Sequence, residues 1–348
     1  MPFINEVLEH NRAIISETRS LAGNGRVTRF RFDPEEVVEI LKQRIIGQPM
    51  MHGSLSEMLH LVKADFGSTE RPLAVFLFVG STGVGKTETV RVLAEAILGS
   101  PDGLCRIDMN TLAQEHYAAA ITGAPPGYVG SKENHTLFDF DKVAGSYSKP
   151  GIVLFDEIEK ASQSVARALL NVLDSGMLEL SAGTKQVSFK NSLIFMTSNE
   201  GARALDSYRR SFERGWRKWL KLGPSKNHER QILQQALQRK FDLEFINRID
   251  QIVIFDELDT CWLDQLLTAE LAKLNKRLAK HQVSVCLDDA ARRFLLDGHD
   301  KRFGARHLGR KLRCHLEPAL ARMFNAHPDC GSFKVTCRDG KLSVVINP

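Results

Sequence analysis

Gly80-Ser81-Thr82-Gly83-Val84-Gly85-Lys86-Thr87 decides the fold, because its pattern and its flanks both belong to a phosphate-binding turn. The pattern is G-x-x-x-x-G-K-[ST]. Before it, Val75-Phe76-Leu77-Phe78-Val79 is an unbroken apolar run of strand length, and residues 88–98 after it carry helical spacing. Strand, glycine-rich turn and helix let backbone N–H groups close on phosphate oxygens at the positive end of a helix. In that setting Gly80, Ser81, Thr82, Gly83, Val84 and Gly85 cradle phosphate. Lys86 reaches the β- and γ-phosphates, and the Thr87 hydroxyl holds Mg²⁺. The expected ligand is a nucleoside triphosphate.

A second run, Gly151-Ile152-Val153-Leu154-Phe155-Asp156-Glu157, is an apolar strand ending in two acids. Ligands of open α/β sheets bind outside the carboxyl ends of the strands, so both carboxylates are expected at the phosphates. Asp156 then anchors Mg²⁺ and Glu157 polarises the attacking water as general base. The plain alternative is a strand end with solvated acids. A third run, Ser192-Leu193-Ile194-Phe195-Met196, ends in Thr197-Ser198-Asn199, and an amide at that level can orient water against the γ-phosphate.

Glycine loop, Asp-Glu strand and Thr-Ser-Asn strand, in this order, resemble an AAA+ ATPase. Four further stretches narrow the resemblance: Ile45-Ile46-Gly47-Gln48, Gly123-Ala124-Pro125-Pro126-Gly127-Tyr128-Val129-Gly130, Asp156-Glu157-Ile158-Glu159-Lys160-Ala161 and Phe245-Ile246-Asn247-Arg248-Ile249-Asp250. They resemble the Clp protein-unfolding ATPases, specifically the second ATPase module of ClpB and ClpA. Arg302-Phe303-Gly304-Ala305-Arg306 is similar to the C-terminal signature of the same family. The likeness runs over residues 35–348, nearly the whole chain.

That resemblance implies a Mg²⁺-dependent ATP hydrolase working as a homo-oligomeric, hexameric ring on polypeptide. It implies that Arg248 is an arginine finger acting in a neighbouring subunit; read alone, Arg248 is a surface cation paired with Asp250. Arg306 becomes a second sensor arginine contributed in cis, against a plain helix-end or surface cation. Ile45 and Ile46 become adenine contacts, where otherwise they are ordinary core. Tyr128, set between glycines, offers a flat amphipathic contact usable on many peptides, or an anchor tucked under its own loop. The resemblance favours the first, with Tyr128 and Val129 gripping substrate in a pore. Residues 180–190 occupy the place of a second pore loop but match less well.

The departures are informative. One ATPase module stands where ClpA and ClpB have two, with no counterpart of the middle coiled coil of ClpB or of a globular N-terminal substrate domain. Leu222-Gly223-Pro224 holds only the first two positions of the Ile-Gly-Leu or Ile-Gly-Phe tripeptide that docks a protease. That segment instead mixes Arg209, Arg210, Arg214, Arg217, Lys218 and Lys221 with Tyr208, Phe212, Trp216 and Trp219. Residues 208–221 are either a docking face for an adaptor, an anionic surface or nucleic acid, or an amphipathic helix with buried aromatics and solvated cations.

The layout reads as an N-terminal helical extension and linker over 1–33, a large α/β domain over 34–255 and a small domain over 256–348. Val7, Leu8, Ile14 and Ile15 suggest a short helix within 1–20, and Gly23 and Gly25 a linker. Asp33 caps a helix that Pro34 begins. Strands are expected at 75–80, 104–109, 151–155, 192–197 and 251–255, alternating with helices, hence a mainly parallel sheet. Leu267, Leu271, Leu274 and Leu278 repeat at helical spacing and open the small domain, which is mostly helical, with a hairpin around Asp339-Gly340.

A chain of 348 residues with 43% hydrophobic and 26% charged residues is ordinary for a soluble globular protein, and a net charge of +5 does not imply nucleic acid by itself. No apolar run reaches membrane-spanning length. Residues 1–10 carry Glu6 and Glu9 without a basic n-region, so no signal peptide is expected. Six scattered cysteines without a C-x-x-C pair fit reduced, cytoplasmic thiols. The leading function is an ATP-driven protein unfoldase. The competing readings are a nucleic-acid-associated motor or loader, an ATPase partner of a protease, and an assembly factor using ATP only as a structural ligand.

Overall fold

The computed structural model describes residues 28–113, 138–179, 186–213, 225–298, 304–338 and 340–346. The expected N-terminal helix and linker, Tyr128 and Val129 with their loop, and residues 214–221 of the basic aromatic segment lie outside the described residues. The chain divides into two compact units. The first takes the described residues up to Gln43, Pro49–Gly80 and Lys86–Phe255; the second takes Arg44–Gln48, Ser81–Gly85 and the described residues from Asp256 onward.

The first unit opens with α1 (Pro34–Arg44) and α2 (Pro49–Lys63). Asp33 Oδ1 accepts from the Glu35 N–H at 2.9 Å, satisfying one of the free donors of the α1 start. Then come β1 (Ala74–Val79), α3 (Lys86–Leu98), β2 (Cys105–Asp108), α4 (Phe140–Ala144), β3 (Gly151–Asp156) and α5 (Gln163–Ser175). A small antiparallel hairpin, β4 (Met177–Glu179) and β5 (Gln186–Ser188), precedes β6 (Ser192–Ser198). The unit closes with α6 (Ala202–Glu213), α7 (Lys226–Gln238), α8 (Leu243–Asn247) and β7 (Gln251–Ile254).

The five long-range strands form one parallel sheet in the order β2-β3-β6-β1-β7. All five expected strands are present, their ends within a residue or so of the expected ones. The apolar runs of β1, β3 and β6 are continuous because both faces are covered, whereas the edge strand β2 alternates buried and exposed residues. Val75, Leu77, Val79, Val153, Phe155, Ile194 and Met196 belong to one buried cluster. Between them along β1 and β6, Phe76, Phe78 and Phe195 form an aromatic group on the other face, with Phe78 and Phe255 centroids 5.0 Å apart. The register pairs Asp108 with Asp156 and Val79 with Ser198, so the carboxyl ends of four strands finish at one level.

The second unit holds α9 (Leu263–Leu278), β8 (Ser284–Leu287), α10 (Asp289–Leu296), α11 (Gly304–Lys311), a π-helical turn at Leu312–Leu316, α12 (Glu317–Ala326), β9 (Ser332–Arg338) and β10 (Lys341–Ile346). Its core takes Leu267, Leu271 and Leu274 from the α9 stripe together with Phe333 and Val335. The expected hairpin is β9–β10, and β8 adds a third strand, parallel to β9, that the hairpin pattern did not announce. Among the described residues no helix is long and apolar enough to cross a membrane.

Candidate active site

In the first unit three elements converge on one carboxylate. Asp156 ends β3 and is 6% exposed. Its Oδ1 accepts from the Thr87 hydroxyl at 3.0 Å and from the Thr197 hydroxyl at 2.5 Å. Its Oδ2 accepts from the Arg106 guanidinium at 2.6 Å. A buried carboxylate is tolerable only when so bonded and compensated. Arg106 supplies the compensating charge from β2, the neighbouring strand.

Glu157 follows with a left-handed backbone, φ 58° and ψ 52°, uncommon for a residue with a side chain. Successive strand residues alternate between faces, and this turn takes Glu157 out of that alternation. Its N–H donates to Thr197 Oγ1 at 2.9 Å, so Thr197 fixes both acids at once. Glu157 Oε2 accepts from Asn110 Nδ2 at 2.6 Å.

Lys86 opens α3 and is 8% exposed. Its ammonium donates to the Gly80 carbonyl at 2.5 Å and to Asn199 Oδ1 at 2.9 Å. The Asn199 backbone N–H and Nδ2 both donate to Glu159 Oε1, at 3.1 and 3.2 Å. Glu159 is buried, and its Oε2 has no hydrogen-bond partner among the described residues. The expected residues Gly80, Lys86, Thr87, Asp156, Glu157 and Asn199 therefore share one hydrogen-bonded neighbourhood. Arg106 and Asn110 join it from outside every quoted motif, and Glu159 joins it from the stretch Asp156–Ala161, with no role assigned to it there.

The donor set suits the ion expected there. A hydroxyl and a carboxylate 3.0 Å apart are hard oxygen ligands, as Mg²⁺ prefers. Among the described residues no three His, Cys, Asp or Glu side chains gather as a cage.

Arg248 lies at the end of α8, and its Nη1 is 2.8 Å from Asp174 Oδ1. The pairing with Asp250 that the residues alone suggested does not form. Asp250 instead binds Arg71 at 2.8 Å and accepts from the Val75 N–H at 2.8 Å.

In the second unit the expected residues meet through backbone. The Gly83 carbonyl accepts from the Ala305 N–H at 3.1 Å. Gly304 has φ +48°, and a Cβ there would lie 2.5 Å from the Gly83 oxygen, so only glycine fits. Gln48 is 2% exposed; its Nε2 donates to the carbonyls of Val84 and Asp256, and its Oε1 accepts from the Asp256 N–H at 3.0 Å. Ile45 is buried close to Gly85, Ile46 is half-buried and Arg306 is exposed. Ser81, Thr82, Gly83, Val84 and Gly85 thus belong to a unit gathered from three stretches of sequence.

Of the basic aromatic segment, Tyr208, Arg209 and Phe212 are half-buried. Arg209 binds the Glu229 carboxylate with two nitrogens, at 2.6 and 3.2 Å. Tyr208 lies 5.0 Å from Phe212 and 4.6 Å from His228, centroid to centroid.

Two family profiles match the chain: "AAA domain (Cdc48 subfamily)" over residues 71–252 and "C-terminal, D2-small domain, of ClpB protein" over residues 258–328. An "ATP-dependent protease ATP-binding subunit-like protein AmiB" of Pseudomonas aeruginosa is 41% identical, over 97% of this chain and 96% of its own length. An "ATP-dependent protease ATP-binding subunit-like protein" of Rhodococcus erythropolis is 42% identical, over 94% and 93%. The ClpC ATP-binding subunit of Staphylococcus aureus strain USA300 is 35% identical over 87% of this chain, which spans 36% of that relative's length. Among solved structures, a closed-state reconstruction of Hsp104 with ATPγS and FITC casein superposes with a TM-score of 0.76 at 25% identity. It covers 90% of this chain and 51% of the Hsp104 chain.

Proposed function

We propose that this chain, which belongs to the Clp family of AAA+ ATPases, couples its ATP hydrolysis to unfolding protein by drawing polypeptide through the pore of a hexameric ring. The observation that carries the reading is a pair of hydrogen-bonded groups at adjoining strand ends: Lys86 with Asn199, and Thr87 with Asp156, whose second partner Thr197 also holds the Glu157 N–H. It has the parts a phosphoryl-transfer site needs: a cation for the phosphates, metal ligands, a base and a water-orienting amide. The relatives, named protease ATP-binding subunits, and an Hsp104 solved with casein support protein as the material worked on.

In this reading Lys86 and the N–H groups of residues 80–85 bind the triphosphate of ATP. Mg²⁺, held by Thr87 and Asp156, neutralises charge on the phosphate oxygens. Glu157, turned out of the strand and steadied by Asn110, accepts the proton of the attacking water. Asn199 orients that water while Glu159 fixes its amide. Ile45 and Ile46 flank the adenine, Arg306 senses the γ-phosphate from the same chain, and Arg248 reaches the nucleotide of a neighbouring copy. Tyr128 and Val129 grip the polypeptide, and the protein works in the cytoplasm. Residues 208–221 remain a candidate adaptor contact through their cations beyond Arg209.

The names of the relatives also favour a second reading, an ATPase that feeds a protease. The proline of Leu222-Gly223-Pro224, in place of an apolar third residue, argues against docking of that kind. Tyr128→Ala tests the leading reading. It should keep basal ATPase within a few-fold and lose unfolding of a fluorescent model protein, whereas Tyr128→Phe should retain most of it because the ring supplies the contact area. Unfolding by Tyr128→Ala at the parent rate ends the threading reading. ATPase stimulated by single-stranded DNA and not by unfolded protein points to a nucleic-acid motor instead.

A further inference from the structure

Arg248 is held at several atoms, and the way it is held points to one more residue of the hydrolytic machinery. Its backbone N–H donates to Phe245 O, and its carbonyl accepts from Arg71 Nη2 at 3.3 Å. Arg71 also grips Asp250, whose second oxygen bonds the Val75 N–H at the start of β1. The chain over residues 248–250 is thereby tied to the sheet. The side chain has a single ion-pair partner among the described residues, Asp174 Oδ1 against Nη1 at 2.8 Å. A guanidinium carries five N–H donors, so this one-point grip leaves most of the fork available. Both partners are exposed, Arg248 by 40% and Asp174 by 54%, so an incoming anion meets little obstruction.

Asp174 is also in an odd place for an acid. It lies in the last turn of α5, where the helix dipole favours cations and no basic residue stands. Helix stability alone favours any neutral residue there. Compensation by Arg248 offsets the misfit, and holding Arg248 gives the acid a purpose.

We propose that Asp174 is a positioning residue for Arg248, holding its guanidinium by one edge so that the other donors face the triphosphate of a second copy of this chain. This rests on the reading of Arg248 as a finger acting between subunits. An unrestrained arginine samples many rotamers, and each conformer pointing elsewhere lowers the fraction of subunits ready for hydrolysis. Asp174 removes that loss before the phosphate arrives.

The test uses the assembled protein and steady-state ATPase. Asp174→Asn should lower the rate at saturating ATP about tenfold with KM little changed, a smaller loss than the roughly 10³-fold expected when a finger is removed. Asp174→Glu, which keeps the charge, should recover most of the rate. In an Arg248→Ala background Asp174→Asn should have no further effect. Its thermal midpoint should not fall, since the change removes an acid from a helix C-terminus. An undiminished rate for Asp174→Asn overturns the proposal. So does an equal loss in the Arg248→Ala background, which marks a purely structural role. Full turnover by Arg248→Ala overturns both the finger reading and the positioning role.

Discussion

The two groups of expected nucleotide-binding residues are built from different materials. In the first unit, Lys86, Thr87, Asp156, Glu157, Thr197 and Asn199 are bonded side chain to side chain or side chain to backbone. In the second, Gly83, Gly304 and Ala305 meet backbone to backbone, and Gln48 ties carbonyls and an N–H together. In the proposed mechanism the side-chain group would supply charge and proton transfer, and the backbone group shape. A substitution that preserves shape but changes chemistry should therefore act through the first group, and one that adds a single methyl should act through the second.

The largest effect separates chemistry from shape. Glu157→Gln keeps the size of the side chain and an oxygen to accept from Asn110, but has no basic carboxylate. Turnover should fall by about 10²–10⁴, the usual worth of a general base. ATP affinity, measured with a fluorescent analogue, should stay within a few-fold. Lys86→Ala should do the reverse and lose binding, since it removes the cation at the phosphates. Normal hydrolysis by Glu157→Gln would break the distinction between the two groups.

A smaller effect probes the backbone group. Gly304→Ala places a methyl 2.5 Å from the Gly83 oxygen at a positive φ. The backbone strain alone is about 1–2 kcal/mol, and residues 81–85 must shift to relieve the contact. Nucleotide affinity should weaken about 5- to 30-fold, the equivalent of that energy, with less loss of turnover at saturation than in Glu157→Gln. Unchanged affinity would show that the approach of Gly304 to Gly83 does not shape the loop.

The same contrast explains what the sequence reveals. β1, β3 and β6 are readable because each is an apolar run buried on both faces, a purely local signal, while the edge strands β2 and β7 are shorter and only partly buried. Glycine loop, acid pair and terminal amide are readable because each sits at the end of such a run. The strand order β2-β3-β6-β1-β7 is not local, and neither is anything that depends on which strand ends meet. Arg106 and Asn110 matter only because β2 lies beside β3; in the sequence they are an ordinary strand cation and a turn amide. Thr197 was in view as part of Thr197-Ser198-Asn199, but its bridging of two acids needed the third dimension. Asp174, sixteen residues after Ile158 on the far end of α5, carried no motif signal. Strand β8 escaped because four residues of partial burial, Ser284–Leu287, are too short a pattern to separate from loop.

Thiol reactivity gives the smallest and most surface-sensitive contrast between the units. The first unit contains one cysteine, Cys105, buried at the start of β2. The second contains the other five, of which Cys261, Cys286 and Cys314 are exposed and Cys330 and Cys337 half-buried. Burial pushes the Cys105 thiol up, and the charge of Asp139 adds to that, while a backbone hydrogen bond from Asp139 and the charge of Lys142 partly oppose it. The thiolate is the reactive form, so at a given pH Cys105 presents less of it, and its alkylation rate should climb only at higher pH. Native labelling with iodoacetamide near neutral pH, read by mass spectrometry of peptides, should modify the three exposed thiols first. Cys330 and Cys337 should follow, and Cys105 should come last. Urea should abolish the order by opening the sheet that shields Cys105. Labelling of Cys105 alongside Cys261 in the native protein would mean that the edge of the sheet at β2 opens readily, and the polar network anchored there through Arg106 and Asn110 would then be the less rigid of the two groups.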